Sequence, residues 1–453
     1  MNKVLSSKPI RKIQVSNFGA LGNITLTLNK SLQVVIGPQA SGKSTLVKSV
    51  YFCRKIRDYL TDFTRDIWNG KVQSDLYISF LKYLRNPFMG CFGTTKHMDT
   101  FTIKYSYDDK NDRTVTISLG KGSFVNFKFS DSLKKEIVLL LDDALQISNN
   151  RLGELAADYY AQRDYLELVK NQVCRIFCDD ETLLYIPAGR NMLATIPDII
   201  LPESTSRIDF GGVDITKIDL ITQDFIHYIQ RMRGRFGSKL DEMTKNYSKT
   251  VRGEIEYQDV QLACELIRNI LKGDYVNDKD GEKLYYNEDK WIKLMFGSSG
   301  QQEVLWALNC IYLAILQNEK TFLVFEEPES HIFPDSQQSI AQLVSLMINS
   351  TQSEVFLTTH SPYMLTAVNL LLYSGRVEKG NSSTNIVERK YRLDPDEVDA
   401  YYILGNKAGI KHLYGEDKIL IDAIEIDHVS NRINEKMDEL LKIEMNNEEM
   451  SNK

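Results

Sequence analysis

The chain opens with strict alternation. Lys12-Ile13-Gln14-Val15 and Ile24-Thr25-Leu26-Thr27-Leu28 place an apolar residue at every second position, the period of half-buried strands. Leu32-Gln33-Val34-Val35-Ile36 is nearly continuous and predicts a buried strand ending at Gly37. Turns between these runs come from Asn17-Phe18-Gly19 and Gly22-Asn23. After Thr45 the period changes, with Leu46, Val47, Val50 and Tyr51 at helical spacing. Residues 100–129 predict a three-stranded meander that turns at Asp108-Asp109 and Gly120-Lys121-Gly122. Charged helices follow from about 131 to 180 and from about 218 to 272. Neither keeps a heptad long enough for an extended coiled-coil arm.

A strongly amphipathic helix starts after Ser298, with Val304, Leu305, Leu308, Ile311 and Leu316 on its apolar side. Two more buried strands, Phe322-Leu323-Val324-Phe325 and Val355-Phe356-Leu357, come next. The chain turns polar after about 376. It ends in a helix with Ile426, Val429, Ile433, Met437 and Leu440 on one face.

Composition narrows the class. A chain of 453 residues exceeds one small core, so two or three lobes are expected. No apolar run reaches the ~18 residues that span a bilayer, and the N-terminus lacks a signal-peptide core, which predicts a cytoplasmic protein with no membrane partner. The net charge of −6 excludes a globally basic nucleic-acid binder, so DNA contact would need a local basic patch. Arg231, Arg233, Arg235 and Lys239 form the densest such cluster, equally readable as a solvated helix end. Six scattered cysteines predict reduced thiols. Cys174 and Cys178 share a helix face but have no nearby histidine to complete a metal site.

The chemistry sits in four short segments. Gly37-Pro38-Gln39-Ala40-Ser41-Gly42-Lys43-Ser44-Thr45 fits a phosphate loop between a buried strand and a helix. Its backbone amides would cradle phosphates, Lys43 would reach the β- and γ-phosphates of ATP, and the Ser44 hydroxyl would ligate Mg²⁺. Glu326 and Glu327 end the second buried strand: Glu326 would hold the metal through water, and Glu327 would polarise the attacking water as general base. His360, at the tip of the third strand, would sense the γ-phosphate. Ser299 and Gly300 open a helix and offer a second anion site, and one nucleotide in one fold rarely needs two. A site completed across a dimer is the natural use. Arg190 is readable as a group near nucleotide or partner, or as a buried structural ion pair. Phe18 is readable as a surface for adenine or as core.

Together, residues 37–45, 298–302, 322–328 and 358–362 resemble the Walker A, signature, Walker B and H-loop segments of ABC-type ATPases. Within these they resemble the SMC/RecF-like branch, especially the ATPase region of OLD-family (overcoming lysogenization defect) proteins. Glu326-Glu327-Pro328-Glu329-Ser330-His331, Thr359-His360-Ser361-Pro362 and Tyr185-Ile186-Pro187-Ala188-Gly189-Arg190 carry the narrower likeness. Two residues depart from the wider pattern: Glu326 stands where Asp is usual, and Gln301 stands where the signature has a second Gly.

The resemblance implies an α/β fold, an ABC-type P-loop head with an antiparallel β-subdomain, a helical insertion and a C-terminal helical tail. The expected boundaries are 1–130 for the first ATPase lobe, 131–285 for the mainly helical insertion, 286–375 for the second lobe and 376–453 for the extension. It implies ATP hydrolysis with Mg²⁺ by Lys43, Glu327 and His360, with the nucleotide held by residues 37–45 and by Ser299, Gly300 and Gln302. It also implies a homodimer or higher oligomer through shared ATP sites, and antiphage defence through a separate effector such as a nuclease. The alternative is an ATP-binding scaffold or a DNA-binding SMC/RecF-like protein in DNA repair or recombination. C-terminal to the ATPase segments, the candidate acidic pair of nuclease spacing, Asp394-Pro395-Asp396, has no predicted strand before it, so no nuclease centre is expected in this chain.

Overall fold

The computed structural model describes residues 9–120, 124–151, 159–190, 209–210, 213–214, 218–250, 257–377, 386–414, 420–422 and 434–440. The first third runs β1 (Lys12–Ser16), β2 (Ile24–Thr27), β3 (Leu32–Ile36), α1 (Lys43–Trp68), α2 (Leu76–Tyr83), α3 (Arg85–Phe92), β4 (Phe101–Asp108), β5 (Arg113–Leu119) and β6 (Val125–Phe129). The middle holds α4 (Asp131–Arg151), α5 (Tyr159–Ile176), β7 (Thr182–Ile186), β8 (Asp209–Phe210), β9 (Val213–Asp214), α6 (Leu220–Arg233), α7 (Leu240–Thr250), α8 (Tyr257–Leu271), β10 (Asp274–Asp278), β11 (Gly281–Tyr285) and β12 (Trp291–Lys293). The last part comprises α9 (Ser299–Leu316), β13 (Thr321–Glu326), α10 (Pro334–Thr351), β14 (Glu354–Thr359), α11 (Pro362–Val377), β15 (Val398–Ile403) and β16 (Ile410–His412).

Two sheets organise the molecule. The alternating strands and the meander join into one antiparallel sheet, ordered β2-β1-β4-β5-β6. The continuous apolar strands build a six-stranded sheet, ordered β16-β15-β3-β14-β13-β7. In it β15, β3, β14, β13 and β7 are parallel, and only the edge strand β16 is antiparallel. Every residue of β3, β13 and β14 is buried, as strands covered on both faces must be. This is an α/β P-loop head with an antiparallel β-subdomain.

Two expected segments differ in content. Residues 131–285 are largely helical, but they also supply β7, which pairs with β13 at the edge of the central sheet. Residues 376–453 were expected to be helical, yet β15 lies beside β3 in the heart of that sheet, with Val398 opposite Leu32. Ile426, Val429 and Ile433 lie outside the described residues. Met437 and Leu440 sit in helical residues 434–440 and are exposed. All six cysteines are free. Among the described residues no helix is long and apolar enough to cross a membrane.

Helix α1 is held between the sheets by buried charges. Arg54 donates to both oxygens of Asp179 (2.8 and 2.7 Å), to Glu181 (2.5 Å) and to Glu354 (3.0 Å). Its guanidinium also lies 3.9 Å from the Phe322 ring centre. Arg57 reaches Asp179 at 2.9 Å, and Arg11, just before β1, reaches Glu354 at 2.8 Å. Three arginines therefore face three carboxylates, linking β1, α1, the approach to β7 and the start of β14. Burial opposes ionisation of Asp179, but Arg54, then Arg57 and Arg11, outweigh it and hold its carboxyl well below the usual carboxylate range.

The sign of the linkage follows. A depressed carboxyl contributes stability that is complete above its unfolded pKa of about 4 and is lost as pH falls below it. Asp179→Asn should lower the unfolding free energy by about 3–5 kcal/mol at neutral pH. In denaturant titrations the gap between native and variant should stay constant above about pH 5 and narrow below about pH 4.

Candidate functional site

The parallel strands deliver their C-terminal tips to one end of the central sheet. That edge is where open α/β sheets bind ligands. The tip of β3 leads through residues 37–42 into α1, the tip of β14 carries His360, and the tip of β13 carries Glu326 and Glu327. Because β14 lies between β3 and β13, His360 stands between the phosphate loop and the two glutamates.

The loop is shaped for an anion. Helix α1 starts at Gly42 in left-handed backbone (φ 104°) with no side-chain cap and no acidic residue in its first turn, so its leading N–H groups are not matched by a side chain. Ala40 is also left-handed, at φ 60°. A Cβ on Gly37 would come within 2.6 Å of the Ile403 carbonyl oxygen, and one on Gly42 within 2.6 Å of Leu21. Both positions therefore demand glycine. Lys43 is buried and folds back on the loop, donating to the carbonyls of Gly37 (2.9 Å) and Pro38 (2.8 Å). Burial lowers its pKa against the pull of Glu327, Glu329 and Glu326. Ser41 is buried with its hydroxyl unpartnered, whereas Ser44 is exposed at the helix start.

Glu326 is buried. One oxygen accepts from the Ala188 N–H at 3.4 Å, and the other has no partner. Glu327 adopts a left-handed backbone (φ 43°), unusual for a branched-chain-free but bulky acid, and donates its N–H to the Thr358 carbonyl at 3.0 Å. Its carboxylate lies 3.4 Å from His360 Nε2 and accepts from Ser330 at 3.3 Å. Bonding to His360 above all, then Ser330 and Lys43, lowers the Glu327 pKa despite partial burial. Glu329 braces the histidine turn, accepting from the His360 N–H at 2.6 Å and from the Thr359 hydroxyl at 2.8 Å.

The residues fit Mg·ATP. The loop supplies donors and a cation, and an unpaired Glu326 oxygen and the exposed Ser44 hydroxyl suit a hard cation. Among the described residues no group of three His, Cys, Asp or Glu could hold a metal alone, so Mg²⁺ would depend on phosphate oxygens and water as well.

The start of α9 is built differently. Ser298 and Gln301 form a reciprocal capping box (3.3 and 2.9 Å), and Gln301 also donates to the Leu271 carbonyl at 2.7 Å. The Gln302 amide, expected to face nucleotide, is turned back onto the carbonyls of Met295 and Gly297 at 3.0 Å each. That leaves exposed Ser299 and half-buried Gly300 as the outward tip. A Cβ on Gly300 would meet the His331 carbonyl at 2.6 Å, so the helix tip and the turn after Glu327 are in close contact.

Three open readings are decided by packing. Phe18 is 2% exposed and sits among Phe88, Phe92 and Phe101, so it cannot stack on adenine. Arg233 is buried against Glu282 (3.2 Å) and Trp306, which breaks the basic cluster in its middle and leaves Arg231 and Arg235 exposed. Arg190 is buried, in contact with Glu303 and with the backbone of Glu326 and Glu327. One contributor escaped the sequence: the turn after β15, residues 404–409, where Gly405 packs on Ser41 and Lys407 bonds Asn17 at 2.5 Å. Its only signal was Gly405-Asn406-Lys407-Ala408-Gly409, which reads as an ordinary turn.

The AAA ATPase domain family matches residues 9–173 and 190–365. The chain belongs to that family. As an AAA ATPase domain it is similar to the DNA replication and repair protein RecF from two Clostridium botulinum strains, each 32% identical over 72 residues, 16% of this chain and 20% of theirs. The chain thus spans about a fifth of the length of those relatives. Among solved structures it is similar to an Smc head bound to the C-winged helix domain of ScpA (9% identity, 90% of this chain, 98% of that one, TM-score 0.41). It is also similar to the SMC head domain from Thermotoga maritima (9% identity, 90% and 100%, TM-score 0.37).

Lys43→Ala and Gly37→Ala should each weaken ATP binding by about tenfold or more, since a charge-assisted phosphate contact contributes about 1.5–3 kcal/mol. Ser299→Ala, measured at protein concentrations too low for association, should change it by less than about twofold. Titration with a fluorescent ATP analogue reads both.

Proposed function

We propose that this AAA ATPase domain is an ATP-hydrolysing switch of the SMC/RecF-like kind that works as a nucleotide-joined pair. The observation that carries the reading is the placement of the four segments. Lys43, His360 and Glu327 gather at adjacent strand tips, while the α9 tip contacts His331 in the turn after Glu327, and Glu303 one turn behind it is tied to Arg190, just beyond β7. From β3 to β7 is three strand spacings, roughly 14 Å. A phosphate chain seated on residues 37–45 would therefore present its γ-phosphate to Glu327 and His360, leaving Ser299 to a second copy's nucleotide. Two-fold symmetry makes that exchange reciprocal.

In this reading the loop amides and Lys43 hold the phosphates. Ser44 and Glu326 would hold Mg²⁺, which when bound would supply neutralisation of the phosphates' negative charge. Glu327, kept ionised by His360, Ser330 and Lys43, accepts a proton from the attacking water. His360 bonds Glu327 and faces the γ-phosphate, so it registers whether that group is present. Control of a separate effector, such as a nuclease, in antiphage defence is the finer part of the proposal. It rests on the likeness of the Glu326–His331 and Thr359–Pro362 segments to OLD-family proteins. A second reading, an ATP-dependent protein of DNA repair, is favoured by the similarity to RecF.

Glu327→Gln should lower kcat by about 10²–10⁴ with ATP binding retained. It should also accumulate ATP-bound pairs in sedimentation. Full turnover in this variant would remove Glu327 from the base role, and absence of pairs at saturating ATP would remove the shared site.

A further inference from the structure

Arg190 faces no solvent, yet it touches the main chain of both halves of the site. One terminal nitrogen donates to the carbonyls of Pro187 (2.7 Å) and Glu326 (2.6 Å), and the other to the Glu327 carbonyl (3.1 Å). Its Nε donates to the Glu303 carbonyl at 3.1 Å. The Glu303 carboxylate in turn accepts from the Arg190 backbone N–H at 2.9 Å and lies 3.4 Å from the guanidinium. Glu303 sits on the first turns of α9, at helical spacing from Ser299 and Gly300. The guanidinium is a rigid plane, so its contacts move together. A second contact acts in the same direction: Gly300 meets the His331 carbonyl too closely for any side chain to intervene.

We propose that Arg190 and Glu303 are positioning residues that couple the chain's own ATP site to the one it completes in its partner. The inference rests on the paired reading above. ATP and metal act on the Glu326–Glu327 backbone, and Arg190 transmits any shift of those carbonyls to the Glu303 turn. The α9 tip then presents Ser299 and Gly300 in the position that grips a second copy's phosphate. Loading of one site thereby favours engagement of the other, a coupling free energy between two sites. Neither residue touches nucleotide.

The test uses the full chain carrying Glu327→Gln, so that turnover does not intervene. Sedimentation against ATP concentration gives a midpoint for pairing. ATP-analogue binding at protein concentrations too low for pairing gives a midpoint for the isolated site. Arg190→Lys, whose ammonium cannot serve four carbonyls from one plane, and Glu303→Gln, which keeps size and an acceptor oxygen, are added singly. Each should raise the pairing midpoint by about fivefold or more while moving the isolated-site midpoint by less than about twofold. A merely structural role would move both midpoints together, and that result overturns the coupling, as does an unchanged pairing midpoint in both variants. If the Glu327→Gln chain without further change fails to pair at any ATP concentration, the paired reading itself falls and takes the coupling with it.

Discussion

Everything at the ATP-facing edge depends on where α1 lies, and α1 is fixed by the charges buried at its middle. Arg54 cannot leave its pocket without taking a cationic partner from each of Asp179, Glu181 and Glu354 in a medium that solvates them poorly. Such a set adds little net stability over an apolar core of equal volume. Its value is directional, because a guanidinium donates to carboxylates only in its own plane. The helix is thereby locked in rotation as well as in height. Its first turn, eleven residues before Arg54, inherits that orientation.

The other half of the site is held by strain rather than by charge. Glu327 has left-handed backbone, and such a conformation persists only where the surroundings over-determine it. Here its N–H is tied to Thr358 on β14 and its carbonyl to Arg190. The strand pairing that sets the sheet order also sets which histidine the carboxylate meets. The geometry of Glu327 and His360 is thus a property of β13 beside β14, while the polarity of the site comes from α1.

How much of this could be read in advance varied with range. The phosphate loop, the two glutamates and His360 were legible because each is a local pattern whose meaning is set by the strand before it. The strands β7 and β15 were not. Thr182-Leu183-Leu184-Tyr185-Ile186 is five residues inside a helical stretch, and Val398-Asp399-Ala400-Tyr401-Tyr402-Ile403 mixes polar and aromatic positions after a polar loop. Their place is decided by partners, β13 and β3, that are remote in sequence. The basic cluster misled for the same reason: Arg233 looks exposed until Glu282 and Trp306 are seen around it. Arg190 was visible within a motif, but a motif does not say which carbonyls it will hold.

The seating of β15 against β3 also has a consequence for biosynthesis. Leu32 is flanked in the finished sheet by Val355 on one side and Val398 on the other, and the Ile403 carbonyl closes over Gly37. At about 5–20 residues per second, the wait between translating Leu32 and Val398 is roughly 20–70 s. Throughout that interval β3, apolar at all but Gln33, lacks its β15 neighbour, and for most of it its β14 neighbour too. The nascent chain must keep β3 shielded by α1 and the antiparallel sheet, which are complete early. The nucleotide loop is among the first segments made and among the last to be walled in.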